Sequence, residues 1–285
     1  MDFPSFEHKS ILTSCSIADS YAYASDLQWL DDANFLNQAS GSYGIEIEGG
    51  TMSVAGDATF TCSPTSTVSG YGALYYYYAA IDIQGNLNIQ GCGGTLVYGY
   101  EAAMTIGGDW VNTNITCTNG KQPPFFLPNQ ELTIFVKDGE IDEGQVIVYG
   151  NFLVTDSTGS GSDCYFLDID EGGMEVFGDF TFQNVKFSGS NAYFVYLDDY
   201  ASLIIHGNTL FTNIHYEGTG GTPGFVNSFL PFYRVSSFFF CTAGIISYYS
   251  FLKTMGTFTM NNIFFNSTNG VSIGEYSCFF FPSFL

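Results

Sequence analysis

Two sets of side chains in this sequence have the chemistry and the spacing to act together. The first is acidic. Glu48, Asp142, Asp170 and Asp199 each stand eight residues before a glycine: Gly56, Gly150, Gly178 and Gly207. Glu46, Glu140 and Asp168 stand ten before the first three of these, and Glu101 falls one place off the frame before Gly108. If the frame stacks, Asp142, Asp170 and Asp199 come onto successive rungs about 4.8 Å apart. Like charges that close repel and raise one another's pKa unless water or a cation lies between them. Such a stripe is either a solvated edge that blocks sideways sheet addition or a calcium site built from oxygen ligands. The second set is thiols. Cys62, Cys92 and Cys117 fall six, seven and nine residues after Gly56, Gly85 and Gly108. On neighbouring rungs they approach one column, where they would either form a disulfide or pack as buried free thiols. The seven cysteines include no CxxC pair, which argues against a zinc module, and an odd count leaves at least one thiol free or bonded to another chain. His8, His206 and His215 form no triad with a serine.

The elements that must position these groups repeat. The template apolar-x-apolar-x-Gly-Asx, followed by a strand-favouring run, occurs as MSVAGDATF, IDIQGNLNI, MTIGGDWVN, VIVYGNFLV, MEVFGDFTF and LIIHGNTLF. The anchors Gly56, Gly85, Gly108, Gly150, Gly178 and Gly207 are 29, 23, 42, 28 and 29 residues apart. The long interval is one period plus an insert, placed at TNGKQPPFFLPNQ, residues 118–130, with three of the eight prolines. A degraded copy sits at TFTMNNIFF near residue 257. Upstream strands precede several anchors, as in YGIEIEGG, YFLDIDEGG and YFVYLDDYA. The alternation has period two, so these are strands. A unit of this length cannot bury its own apolar face, but stacked units can. The expected fold is therefore all-β, a right-handed parallel β-helix with coils of about 23–29 residues. Residues 1–40 form a first coil or a helical cap, 41–217 the coils, and 218–285 an aromatic C-terminal region. The residue after each anchor reads Asp57, Asn86, Asp109, Asn151, Asp179, Asn208. Gly-Asx suits a turn with unusual dihedrals, and in a stack each Asn amide would meet an Asp neighbour. This column is expected to be a turn ladder and not a set of catalytic acids.

Composition narrows the function. Six basic against 28 acidic residues give a net charge of −22, which excludes nucleic acid and anionic lipid surfaces as partners. The uncharged run from Val235 to Leu252 has the length of a membrane span. Its Ser236, Ser237, Thr242, Ser247 and Ser250, with many strand formers, argue against one. Residues 218–285 hold one acid, Glu275, and 14 of the 29 Phe, an apolar end expected to contact copies of the chain. The opening MDFPSFEHKS lacks a basic segment followed by an apolar one, so no signal peptide is read and the chain is treated as a fragment or an unconventionally exported protein. Asn114-Ile115-Thr116 and Asn266-Ser267-Thr268 are N-glycan acceptor triplets.

The coil template, clearest in IDIQGNLNI, MEVFGDFTF and LIIHGNTLF, resembles the right-handed parallel β-helix (pectin-lyase-like) superfamily. Within it, the chain is most similar to repetitive bacterial adhesins and ciliate cell-surface proteins. The resemblance implies a fold more than an activity, because this fold hosts lyases, hydrolases and adhesins. Lyases of the superfamily use Arg or Lys beside a calcium-bound acidic substrate. Here Arg234, Lys9, Lys121, Lys137, Lys186 and Lys253 are scattered. The hydrolases cluster Asp residues with Gly-His-Gly and Arg-x-Lys segments. Asp198-Asp199 followed by His206-Gly207 is a faint echo of the first, and the second is missing. The expectation is a non-enzymatic extracellular or cell-surface rod that assembles end to end with its own copies or displays an adhesive face. It needs no cofactor, with calcium the one candidate, and polysaccharide is the alternative partner. A carbohydrate-binding or carbohydrate-active β-helix is the competing reading.

Overall fold

The computed structural model describes residues 5–6, 10–12, 15–17, 20–37, 45–62, 71–92, 95–118, 125–127, 145–160, 164–170, 172–188, 192–198, 201–218, 226–228, 245–248 and 251–267. All regular structure in them is β, and every strand pairing is parallel. The protein is a parallel β-solenoid. Two sheets run along the stack and meet at the Gly-Asx turn. One side of the turn carries Ser20–Trp29, Ile45–Val54, Tyr71–Ile83, Ala103–Ile106, Gln145–Val148, Gly173–Val176, Ser202–Ile205 and Phe251–Thr254, each hydrogen-bonded to the next. The other carries Cys15–Ile17, Ala33–Asn37, Ala58–Cys62, Leu87–Gln90, Trp110–Thr113, Phe152–Thr155, Phe180–Ser188, Thr209–Gly218 and Phe258–Ser267. The upstream strands Thr95–Tyr100, Cys164–Asp170 and Ala192–Asp198 extend the first sheet.

Register is in frame at each rung. Met52 pairs with Ile81, Ile81 with Met104, Met104 with Val146, Val146 with Met174 and Met174 with Leu203. Because period-two strands keep one face inward, these residues are buried throughout. Across the turn the inward column at Trp110, Phe152 and Phe180 is aromatic. Phe152 stacks on Phe180 with centroids 4.8 Å apart and planes 14° apart, and Phe182 on Phe211 at 5.3 Å and 4°. Such pairs add to the area they bury. Two of the polar side chains buried in this interior are Asn112, which accepts from Trp110 Nε1 at 3.0 Å, and Thr209, next in the Phe180 column, whose hydroxyl donates to Thr254 Oγ1 at 3.3 Å.

The anchor glycines form one column. Gly85 N donates to Gly56 O at 3.0 Å, and the same bond links Gly108, Gly150, Gly178, Gly207 and Gly256 in turn. The cause of glycine here is close approach. A Cβ on Gly178 would lie 2.5 Å from Gly150 O and 2.5 Å from Asn151 Oδ1. Gly256 extends the column, so TFTMNNIFF is a further coil, and strand Phe258–Ser267 pairs in register with Thr209–Gly218.

One expectation, the insert, changes, one open alternative narrows, and the uncharged run follows its expected β reading in part. The described part of the opening segment is a coil and not a helical cap: strands Ser20–Trp29 and Ala33–Asn37 flank a turn, because Asp31-Asp32 takes the place of Gly-Asx. The insert at 118–130 is not wholly a loop. Phe125–Leu127 is a strand between Thr95–Tyr100 and Cys164–Asp170, and its three apolar residues follow the two prolines that obscured it. Part of the uncharged run lies in strands Ile245–Tyr248 and Phe251–Thr254, and among the described residues no helix is long and apolar enough to cross a membrane.

Gly178→Ala is expected to destabilise the coil by roughly 1–3 kcal/mol through overpacking against backbone. Gly173→Ala, whose Cβ would first meet the Ser202 hydroxyl at 3.1 Å, is expected to cost less. Thermal unfolding followed by circular dichroism checks the order.

Candidate functional site

The Asx residues after the glycines share one column and are bonded to each other. In each rung the Asx Oδ1 accepts the backbone N–H of the Asx above it. Asp57 N donates to Asp32 Oδ1 at 2.8 Å, Asn86 N to Asp57 at 2.7 Å, Asp109 N to Asn86 at 2.8 Å and Asn151 N to Asp109 at 2.7 Å. Asp179 N continues to Asn151 at 2.7 Å and Asn208 N to Asp179 at 2.7 Å. Where the upper residue is Asn, its amide also donates to the same oxygen: Asn86 to Asp57 at 3.1 Å, Asn151 to Asp109 at 3.0 Å, Asn208 to Asp179 at 3.1 Å. The ladder runs beyond the six residues read from sequence, from Asp32 to Thr257, whose N and Oγ1 both donate to Asn208 Oδ1. Chemically, these carboxylates are engaged as acceptors along the axis.

A second ladder was not read from the sequence. Asn114, Asp156, Asn184, Asn213 and Asn262 all have positive φ, between 52° and 55°, and Gly91 has 70°. Each lies six residues after an anchor glycine. Asn184 Nδ2 donates to Asp156 Oδ1 at 2.9 Å, Asn213 to Asn184 at 2.8 Å and Asn262 to Asn213 at 2.8 Å. Asn and Asp are the non-glycine residues that best tolerate this conformation. The signal was present as a constant offset of six. Asn114, the first glycan acceptor, is exposed at this corner, while Asn266 lies in strand Phe258–Ser267 opposite Glu217.

Cys62 occupies the same offset in its rung and forms a disulfide with Cys92, with Cα atoms 4.8 Å apart. Cys117 leaves that column. Thr116 N bonds to Cys92 O, which sets Ile115 in Cys92's place, and Cys117 pairs with Gly159.

The acidic stripe is not aligned as expected. Glu48 pairs with Tyr23 and Tyr77, so its rung neighbours are aromatic. Asp170 pairs with Asp198, not with Asp199, because the link between upstream strand and turn is one residue longer in that coil. Asp142, Asp199 and Glu140 lie outside the described residues. Asp168 pairs with Phe126 and Tyr196, and Glu101 sits beside Tyr78. Among the described residues no three His, Cys, Asp or Glu gather closely enough to hold a metal ion. Glu46, between Tyr21 and Tyr75, has its carboxyl pushed above the ordinary glutamate range by burial and then by Glu48.

Two histidines pair with carboxylates on the outer surface. His206 Nε2 meets Glu175 Oε1 at 2.6 Å, and its ring stacks on Phe177 with centroids 4.5 Å and planes 4° apart. Phe177 stacks in turn on Tyr149 at 5.2 Å. On the far side His215 Nε2 lies 2.8 Å from Glu217 and its ring stacks on Phe264 at 4.7 Å. Glu217's carboxyl is held below its usual range by the His215 hydrogen bond first and by Lys186, 3.6 Å away. Arg234 and His8 lie outside the described residues.

No family model, curated protein or solved structure matches this chain.

Asp179→Ala removes the acceptor of Asn208 N and Nδ2 at an exposed rung and is expected to cost about 0.5–1.5 kcal/mol, whereas Asp179→Asn keeps an acceptor for the backbone N–H and costs less. Denaturant unfolding of the two variants checks this. The raised Glu46 carboxyl has a definite sign. The fold holds this proton more tightly than the unfolded chain, so stability falls as pH rises through the ordinary glutamate range toward the raised value. Glu46→Gln is expected to raise Tm at pH 7, by under about 1 kcal/mol at this half-exposed site, and to lose that gain at about pH 3, where both states are protonated.

Proposed function

We propose that this protein is a non-enzymatic structural rod, extracellular or at a cell surface, that joins copies of itself end to end or carries an adhesive face. One observation carries the reading. The polar side chains of the turns bond along the axis, rung upon rung, from Asp32 to Thr257, and so serve to hold the stack in register. A reacting centre instead needs nucleophile, base and stabiliser to converge at one place. The Cys62–Cys92 disulfide supports an oxidising compartment. The sign asymmetry of the chain supports axial joining: 27 of the 28 acids lie in the first 217 residues, so the flanks repel side by side, while the region after residue 217 holds one acid.

The carbohydrate-binding alternative draws less support. A sugar ring packs on an open aromatic face, and in the outer ring column Phe177 is covered by Tyr149 and His206, which leaves an open face on Tyr149.

Negative-stain electron microscopy and light scattering of purified protein test the proposal. Assemblies whose length grows with concentration are expected. Added salt is expected to promote lateral bundling by screening the flanks, with little change in the axial contact. A monodisperse monomer at high concentration and high salt would refute assembly.

A further inference from the structure

The outward column one residue before each anchor glycine reads Gln84, Gly107, Tyr149, Phe177, His206, Met255. Backbone bonds fix their succession: Gly107 N donates to Ile83 O at 2.7 Å, Tyr149 N to Ile106 O at 2.9 Å and Phe177 N to Val148 O at 2.9 Å. Three consecutive rungs carry rings, packed face to face. The rung below Tyr149 carries none, because a Cβ on Gly107 would run into the carbonyl oxygen of Gln84. Gln84 and Tyr149 therefore stand two rungs, about 9–10 Å, apart, with one side-chain layer missing between them. Exposure agrees with this: Tyr149 is 54% exposed and Phe177, covered on both faces, 41%.

A neighbouring column supplies a charge. Asp82, Thr105, Ile147 and Glu175 pair in sequence along the outer face. From this column Glu175 reaches one rung up and across to His206, the residue in the ring column, at 2.6 Å. The same step taken from Asp82 ends at Gly107, the rung of the outer column that carries no side chain. Asp82 is exposed, and no ion pair among the described residues engages it. His206 is thus an internal template for the missing occupant: a flat ring against an aromatic face, with an N–H directed at a carboxylate from the rung below.

We propose that the gap at Gly107 is a binding slot for one planar cation, the guanidinium of an arginine on a partner protein. Tyr149 offers its bare face, Asp82 accepts the guanidinium N–H bonds and Gln84 closes the floor. Flat shape, positive charge and several in-plane donors are united in arginine. The chain's charge of −22 favours a cationic partner. The slot is independent of whether the protein assembles with its own copies.

The test is an NMR titration of the full chain with acetyl-Gly-Arg-Gly-amide, following the Tyr149 ring and the Gly107 amide. Peptides with lysine or neutral, planar citrulline in place of arginine are the controls. The arginine peptide is expected to bind on the order of millimolar, at least about fivefold tighter than either control. Asp82→Asn and Tyr149→Leu are each expected to weaken it by about fivefold or more, and Glu175→Gln to leave it unchanged. Equal binding of the lysine peptide would reduce the effect to surface charge, and equal binding of the citrulline peptide to shape. Either result, or the absence of any shift at Gly107 and Tyr149, overturns the proposal.

Discussion

The structure depends on how closely successive rungs approach at the Gly-Asx turn. Gly N donates to Gly O of the rung below, and the Asx side chain acts as a second carbonyl, accepting the next backbone N–H. Glycine is required because backbone and Asx oxygens fill the space a Cβ would take. Once the turn fixes register, the residues of the strands that flank it meet their counterparts one rung away. The interior stacks of Phe152 on Phe180 and Phe182 on Phe211, and the outer stack of Tyr149, Phe177 and His206, follow from that single constraint. A one-residue slip would turn each inward residue to solvent, so the apolar pattern and the turn specify the same register.

The legible part of the fold was the part whose physics demands particular residue types. Steric exclusion at the turn leaves only glycine, and the acceptor requirement leaves Asp or Asn, so the repeat could be read by identity. The left-handed corner was harder. Gly91, Asn114, Asp156, Asn184, Asn213 and Asn262 share a conformation, but their neighbours differ, and only a fixed offset from the anchor marks them. The acidic stripe loses its register at Asp170 for the opposite reason. It was counted backwards across the link between upstream strand and turn, and that link changes length, so Asp170 meets Asp198. The strand Phe125–Leu127 was hidden because prolines next to it read as a loop.

Inside and outside obey different rules in such a fold. Inward positions are tied to two neighbours by packing, which is why they are mostly apolar from Leu27 to Tyr216, and the buried polar side chains Asn112, Ser157 and Thr209 each make a hydrogen bond within the stack. Outward positions are held only by their own column and are free to diversify from rung to rung: Gln84, a glycine, two aromatic rings, a histidine, a methionine. The left-handed corner shows the same latitude. Its early rung is pinned covalently by Cys62 and Cys92, and later rungs use bonds from an Asn amide to an Asp carboxylate or an Asn carbonyl to the same end.

Both side-chain ladders point one way. In each, the donor belongs to the later rung and the acceptor to the earlier, from Asp57 on Asp32 to Thr257 on Asn208, and from Asn184 on Asp156 to Asn262 on Asn213. The stack therefore has a tail and a head that are chemically unlike, and turning one copy end over end cannot match either ladder to itself. A twofold join along the axis therefore cannot continue either ladder. Any join that continues the ladders sets unlike faces together, repeats without closing and gives an open chain with a fixed sense of travel.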